Sequence, residues 1–282
     1  MSRFETEHVG DHPDDPTVDG RFVDRIEMKV PDRHNPKLHE VLDRVNADDE
    51  LYALWLASNV TAIERLGMTD HGPVHVKIVM NIAVRMLRLL IESEIEPSVV
   101  DTYQMEHADA EVVVALGALL HDVGMSIHRD DHESFSLFIA REKLHELLDG
   151  IYDIRQRTFM ESEILHAITS HRAGGRPLTV EAGVVRIADA LDMAKGRSRI
   201  PFESGSLSIH SVSAAAIEAV RIEPGETRPI RLVIEMSNSA GVFQLDQLFR
   251  GKLKGSGLEQ HIEVEATLEG ETEKRLVRNF SF

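Results

Sequence analysis

The chain contains no cysteine, which excludes disulfides, thiolate nucleophiles and thiolate-bound zinc or iron–sulfur sites. Any transition-metal site must therefore be built from His, Asp, Glu and water. Basic residues are also scarce: 31 Lys and Arg stand against 48 Asp and Glu, a net charge of −17. That balance weighs against a general affinity for nucleic-acid backbones, which depends on clustered cations, although a local basic site is still allowed. Long apolar runs are missing too, since no stretch approaches the roughly 20 residues needed to span a bilayer. Met1-Ser2-Arg3-Phe4-Glu5 also lacks the basic-then-apolar build of a signal peptide. We therefore expect a cytoplasmic protein with no membrane partner. The acidic excess further suits solubility at high salt, where long-range repulsion is screened, and suggests a halophilic source.

What is present is enough for a real core: 42% apolar residues in a chain of 282, long enough for one large domain or two unequal ones. Residues 1–20, with Asp11-His12-Pro13-Asp14-Asp15-Pro16, read as a loose acidic arm. From Pro36 the spacing turns helical, through Leu38, Val41, Leu42 and Val45, then Leu51, Leu54 and Trp55, to Ile63 and Leu66 before Gly67. Two helices fit that stretch. Another begins at Pro73, a residue suited to the first helical position, and ends before Pro97. Further helices are expected at Asp109 to Val123, Asp131 to Leu148, Phe159 to Arg172 and Thr179 to Lys195. The fold class is therefore mainly α, with a helical domain over residues 21–204. After Ser204 period-two alternation appears, as in Ile230 to Met236 and Ile262 to Leu268, with Lys274 to Phe280 beyond a turn. One helix through Leu245, Leu248, Phe249 and Leu253, closed by Gly255, interrupts it. Residues 205–282 thus form a small α+β domain, to which we assign dimerisation or regulation in a homo-oligomer.

The most informative local feature is His121-Asp122, which closes the apolar run Val112 to Leu120. A buried charge must be paired, protonated or metal-bound, and a helix apolar all round belongs in the core. The pair is either a ligand set pointing inward or a helix end whose side chains reach solvent or cap a neighbour.

Nine of the 15 histidines fall between His71 and His171. Helical phase sorts them. His75 precedes Val79 by four and Ile82 by seven, so it lies on the apolar stripe; His71 lies just before that helix. His171 follows Ile164, Ala167 and Ile168 by seven, four and three, and is a better inward candidate than His166. Asp189 shares a line with Ala182, Val185 and Met193. It is either a ligand or half of a core salt bridge, and no basic residue falls on its own line. Asp192 is more peripheral, a candidate to orient a ligand. His75, His121, Asp122 and Asp189 together offer two imidazoles and two carboxylates, a set suited to manganese, iron, magnesium, nickel, cobalt or zinc. Such a set leaves coordination positions open, as catalytic sites do.

In that order these residues resemble the HD superfamily of metal-dependent phosphohydrolases, named for the pattern H...HD...D. The resemblance covers about residues 55 to 200, through Asp70-His71-Gly72-Pro73-Val74-His75, Leu119-Leu120-His121-Asp122-Val123-Gly124 and Ile187-Ala188-Asp189-Ala190-Leu191-Asp192. It implies one or two divalent ions, with Asp122 bridging and His132 and His171 holding the second; His128 could substitute for His132. Two departures stand out. Gly124-Met125 replaces the family's frequent Gly-Lys, so Arg129, Arg172, Arg176, Lys195 or Arg197 must supply charge to a substrate phosphate. Ile78-Val79 stands where Arg-Val is common.

The resemblance implies hydrolysis of a phosphomonoester or phosphodiester by a metal-activated water, acting on a nucleotide, a cyclic nucleotide or a related small molecule. His71 or His128 would protonate the leaving oxygen, with Arg129 nearby. The alternative is a noncatalytic, metal-containing nucleotide sensor whose C-terminal domain passes the signal on. RNA cleavage ranks below both, because the chain is acidic. Arg250-Gly251-Lys252-Leu253-Lys254 is read as a solvated basic face.

Overall fold

Short polar side chains start several of the helices. Asn35 Oδ1 accepts the Leu38 amide at 3.0 Å and opens α1 (Pro36–Ala47). Asp48 Oδ1 accepts the Leu51 amide at 2.8 Å and opens α2 (Asp49–Asn59). Such caps satisfy amides that have no partner inside the helix. A π-helical stretch, Val60–Arg65, prolongs α2. Asp70 then takes the amides of Gly72 and His75, at 2.8 and 3.1 Å, ahead of α3 (Pro73–Glu92). The chain continues through α4 (Ser98–Tyr103), α5 (His107–Leu120), a 3₁₀ turn at Val123–Ser126, α6 (His132–Leu147), α7 (Ile154–Ser170) and α8 (Val180–Leu191).

This computed structural model describes residues 25–31, 35–172, 174–193, 213, 216–268 and 279–280. The acidic arm, the boundary near residue 204, Lys195, Arg197 and most of the strand expected at Lys274 to Phe280 lie outside those residues.

Several boundaries differ from expectation. α5 starts at His107 because Asp109, three residues in, reaches back to the Glu106 amide at 2.9 Å, and Lys37 and the Tyr152 hydroxyl hold that carboxylate. α7 starts at Ile154, behind the Asp153 cap, five residues before Phe159. α4 was not foreseen. Its first amides, Ser98 and Val99, donate to Glu181 at 3.2 and 2.9 Å, while Ser98 Oγ receives the Val180 amide that begins α8. Two helix starts cap one another across 83 positions of sequence.

α5 is buried on every side and packs against α3, α7 and α8. Trp55 ties α2 to it, its indole N–H donating to Leu119 O at 2.8 Å. The C-terminal sheet has the order β1 (Ile217–Pro224), β2 (Ile230–Met236), β3 (Ile262–Leu268), β4 (Asn279–Phe280). β1 was not singled out in the sequence, where its alternation is weak. β2 and β3 are parallel, the other pairs antiparallel. A parallel pair needs a crossover, and here it is helical: α9 (Gly241–Phe243), a π-helical stretch Gln244–Phe249 and α10 (Arg250–Leu253), closed by Gly255 at φ +80. The crossover packs on α8.

α5 ends at Leu120, and Gly124, inside the 3₁₀ turn that follows, permits close approach. A Cβ there would lie 2.1 Å from His132 O and 2.4 Å from the Ser136 amide. Gly124→Ala should therefore push the first turn of α6 away, destabilising the fold by about 1–3 kcal/mol and lowering metal content through His132. Denaturant unfolding together with metal analysis checks both effects.

Candidate metal centre

Five histidines and two aspartates from five segments converge in the helical domain. His71 precedes α3 and His75 sits in its first turn; His121 and Asp122 follow α5; His132 opens α6; His171 ends α7; and Asp189 lies in the last turn of α8. His75, His121, Asp122, His132 and His171 are all buried.

Asp122 lies between two imidazole pairs. Its Oδ2 is 3.5 Å from His75 Nε2 and 3.2 Å from His121 Nε2. Its Oδ1 is 3.2 Å from His132 Nε2 and 3.6 Å from His171 Nε2. Asp189 Oδ1 closes the first group, 3.6 Å from His75 Nε2 and 3.7 Å from His121 Nε2. The set thus contains overlapping metal-competent triads: His75, His121 and Asp122; His121, His171 and Asp189; and Asp122, His132 and His171.

The far sides of the rings decide what faces inward. His75 Nδ1 is 2.5 Å from Asp192 Oδ2, His121 Nδ1 is 2.7 Å from Ala118 O, and His171 Nδ1 is 2.6 Å from Ile168 O. An Nδ1–H given to oxygen leaves a lone pair on Nε2, the usual arrangement of a metal-bound imidazole. His75 Nε2 and His121 Nε2 then face each other at 3.2 Å. Two lone pairs at that distance call for a cation between them, so the donor set fits a divalent ion.

The chain matches the model of the HD domain over residues 74–194. It is also similar to an uncharacterised protein of Methanocaldococcus jannaschii, 42% identical over 236 residues that cover 84% of this chain and 90% of the relative. The chain belongs to the HD-domain family. Members of that family are generally metal-dependent hydrolases, and the HD pair, His121-Asp122, lies at the centre of the cluster. Among the described residues no helix is long and apolar enough to cross a membrane.

The HD protein places its other candidate residues unequally. His71 joins the cluster, with Nδ1 2.7 Å from Thr69 O and Nε2 4.0 Å from Asp122 Oδ2. Asp192 orients His75, the role expected of it. Arg129 is half-buried, with Nη1 2.7 Å from His132 Nδ1. His128 is exposed, its Nδ1 accepts the Asp130 amide at 3.0 Å, and it lies outside the metal-competent triads among the described residues. Arg172 and Arg176 are exposed, and among the described residues neither side chain bonds to the cluster. Met125 is fully buried in the core.

Two basic residues escaped the sequence reading. Lys252 was assigned to a solvated face, yet its Nζ lies 2.8 Å from Asp189 Oδ2 and 2.5 Å from His171 O. The signal was available: Lys252 follows Leu245 by seven and Phe249 by three, so it shares their apolar line. Asp189 is therefore both a candidate ligand and half of a salt bridge, made with a residue 63 positions away. Arg186, one turn before Asp189, is also buried.

Electrostatics follow from this packing. Burial disfavours the imidazolium of His121, but the carboxylates of Asp122 and Asp189 overcome it and raise its pKa to about 10. Burial would raise Asp122; instead the charge of His121, with His132 and His75 against the same carboxylate, holds it well below the ordinary carboxylate range. Asp189 is likewise held low against burial by Lys252 and His121. Burial, then the charges of His121 and Lys252, keep His171 neutral.

Without metal, the folded chain keeps a proton on His121 above the ordinary value of 6.5, where the unfolded chain does not. Such a proton stabilises fully below pH 6.5, and the gain is lost as pH rises through about 10. In EDTA the melting temperature should fall across that window. Saturating Mn²⁺ should flatten the slope, because the ion takes the proton's place. Melting curves from pH 6 to 10 measure it, and a flat profile in EDTA would put the proton elsewhere.

Proposed function

We propose that the protein is a metal-dependent phosphohydrolase that cleaves a phosphomonoester or phosphodiester, with a nucleotide or cyclic nucleotide as substrate class. The observation that carries this reading is the division of Asp122, one oxygen toward His75 and His121 and the other toward His132 and His171. A carboxylate shared in this way suits two adjacent ions, the arrangement used for in-line displacement at phosphorus. His75, His121, Asp122 and Asp189 would hold one ion, and Asp122, His132 and His171 the other. When bound, divalent ions supply a water acidified toward a pKa of about 7 and polarise a phosphoryl oxygen.

The remaining work falls to side chains. Arg129 and Lys252 lie beside the cluster, at His132 and at Asp189. They place positive charge near the position of a transferring phosphoryl group, where Met125 supplies none. His71 gives its Nδ1–H to Thr69 O, so its Nε2, the nitrogen that faces Asp122, is the one that would carry a proton to a leaving oxygen when the ring is protonated. Burial of the ligands keeps bulk water from competing.

A panel of aryl phosphates, aryl phosphodiesters and nucleotides, assayed with Mn²⁺, Ni²⁺ and Mg²⁺, tests the reading. Asp122→Ala should lose both metal and turnover. His71→Gln should keep its metal while kcat falls about 10²- to 10⁴-fold, the range for loss of a general acid. Metal-loaded protein that turns over nothing on the panel yet binds one nucleotide tightly would establish a sensor instead.

A further inference from the structure

Among the described residues, the C-terminal crossover sends the charged side chain of Lys252 into the centre, and the backbone around it is firmly held. Arg186 on α8 donates Nε to Lys252 O at 2.8 Å and Nη2 to Gly251 O at 3.2 Å. The same guanidinium gives Nη1 to Ser170 O at 3.2 Å and to Arg172 O, on either side of His171. One buried cation thus binds the end of α7, which carries a ligand, to the crossover helix that carries Lys252. Lys252 completes the loop by donating to His171 O and to Asp189 Oδ2.

The carboxylate of Asp189 is split by this arrangement. Oδ1 faces His75 and His121 at 3.6 and 3.7 Å, while Oδ2 is taken by Lys252 at 2.8 Å. We propose that Lys252 is a positioning residue that restricts Asp189 to one ligating oxygen, so that the C-terminal region sets which ions the centre accepts. The inference rests on the metal-binding half of the reading above and not on turnover. Ions with large, flexible coordination shells, Ca²⁺ foremost, gain from two-oxygen carboxylate binding, whereas Zn²⁺ prefers four ligands. A fixed ammonium beside the carboxylate removes that second oxygen and repels every cation. Its loss should therefore favour Ca²⁺ over Zn²⁺.

Calorimetric titration of the full chain with Ca²⁺ and with Zn²⁺ tests this. Lys252→Met keeps the aliphatic stem; its Ca²⁺ affinity should rise about tenfold or more relative to Zn²⁺ affinity. Lys252→Arg, which retains a cation able to hold a carboxylate, should keep the wild-type ratio. An unchanged ratio in Lys252→Met, or equal weakening of both ions, overturns the proposal, because loosened packing alone would not separate the ions. Should Lys252→Met fail to fold, Lys252→Gln takes its place, and hydrogen exchange of the wild type serves beside it. Metal loading should slow exchange at residues 250–253, and unchanged exchange there overturns the coupling. Wild type that binds ions but cleaves no ester would end the hydrolase reading and leave this inference intact; active wild type with an unshifted ratio in the variant would do the reverse.

Discussion

Everything in the helical part is arranged around the desolvation of one carboxylate. Asp122 is buried, and an ionised group taken out of water is costly unless charge and hydrogen bonds replace the solvent. Here imidazoles replace it, from the start of α3, the end of α5, the start of α6 and the end of α7. Each of those helices must end or begin at the same place for the carboxylate to be satisfied. The supporting bonds serve this. Ser136 Oγ donates to His121 O at 2.7 Å and receives the Gly124 amide at 2.9 Å, locking the turn after α5 against α6. Ser58 Oγ reaches Asp122 O at 3.3 Å from α2.

Asp189 meets the same constraint from another direction. Its balancing cation comes from the crossover between two parallel strands rather than from the helical part. The parallel pairing of β2 and β3 has a consequence well beyond the sheet, since it requires the crossover that packs on α8 and delivers Lys252. Buried apolar residues of the helices and of the strands form one continuous cluster. Sheet, crossover and metal centre are accordingly parts of one packing arrangement.

Much of the centre was legible in sequence because helical phase is a local property. His75 and His171 fall on apolar lines, and Asp189 lies among residues that pack. The same test applied to Lys252 would have removed it from the solvated face, since Leu245 and Phe249 share its line. His128 is the converse case. It precedes His132 by four, but α6 begins only at His132, so His128 lies outside the helix and has no helical phase. α4 carried no local signal, because its amides are capped by Glu181 from a distant helix.

The sequence by itself determined which groups must be buried and which chemistry they can perform. Without cysteine only imidazole and carboxylate ligands were open, and periodicity assigned those ligands to helix faces. Tertiary structure decided how they are shared: which oxygen of Asp122 meets which imidazoles, which nitrogen of each ring faces inward, and which cation stands beside Asp189. Those choices depend on contacts between segments tens of residues apart, where desolvation and hydrogen-bond geometry act across space and leave no period in the chain.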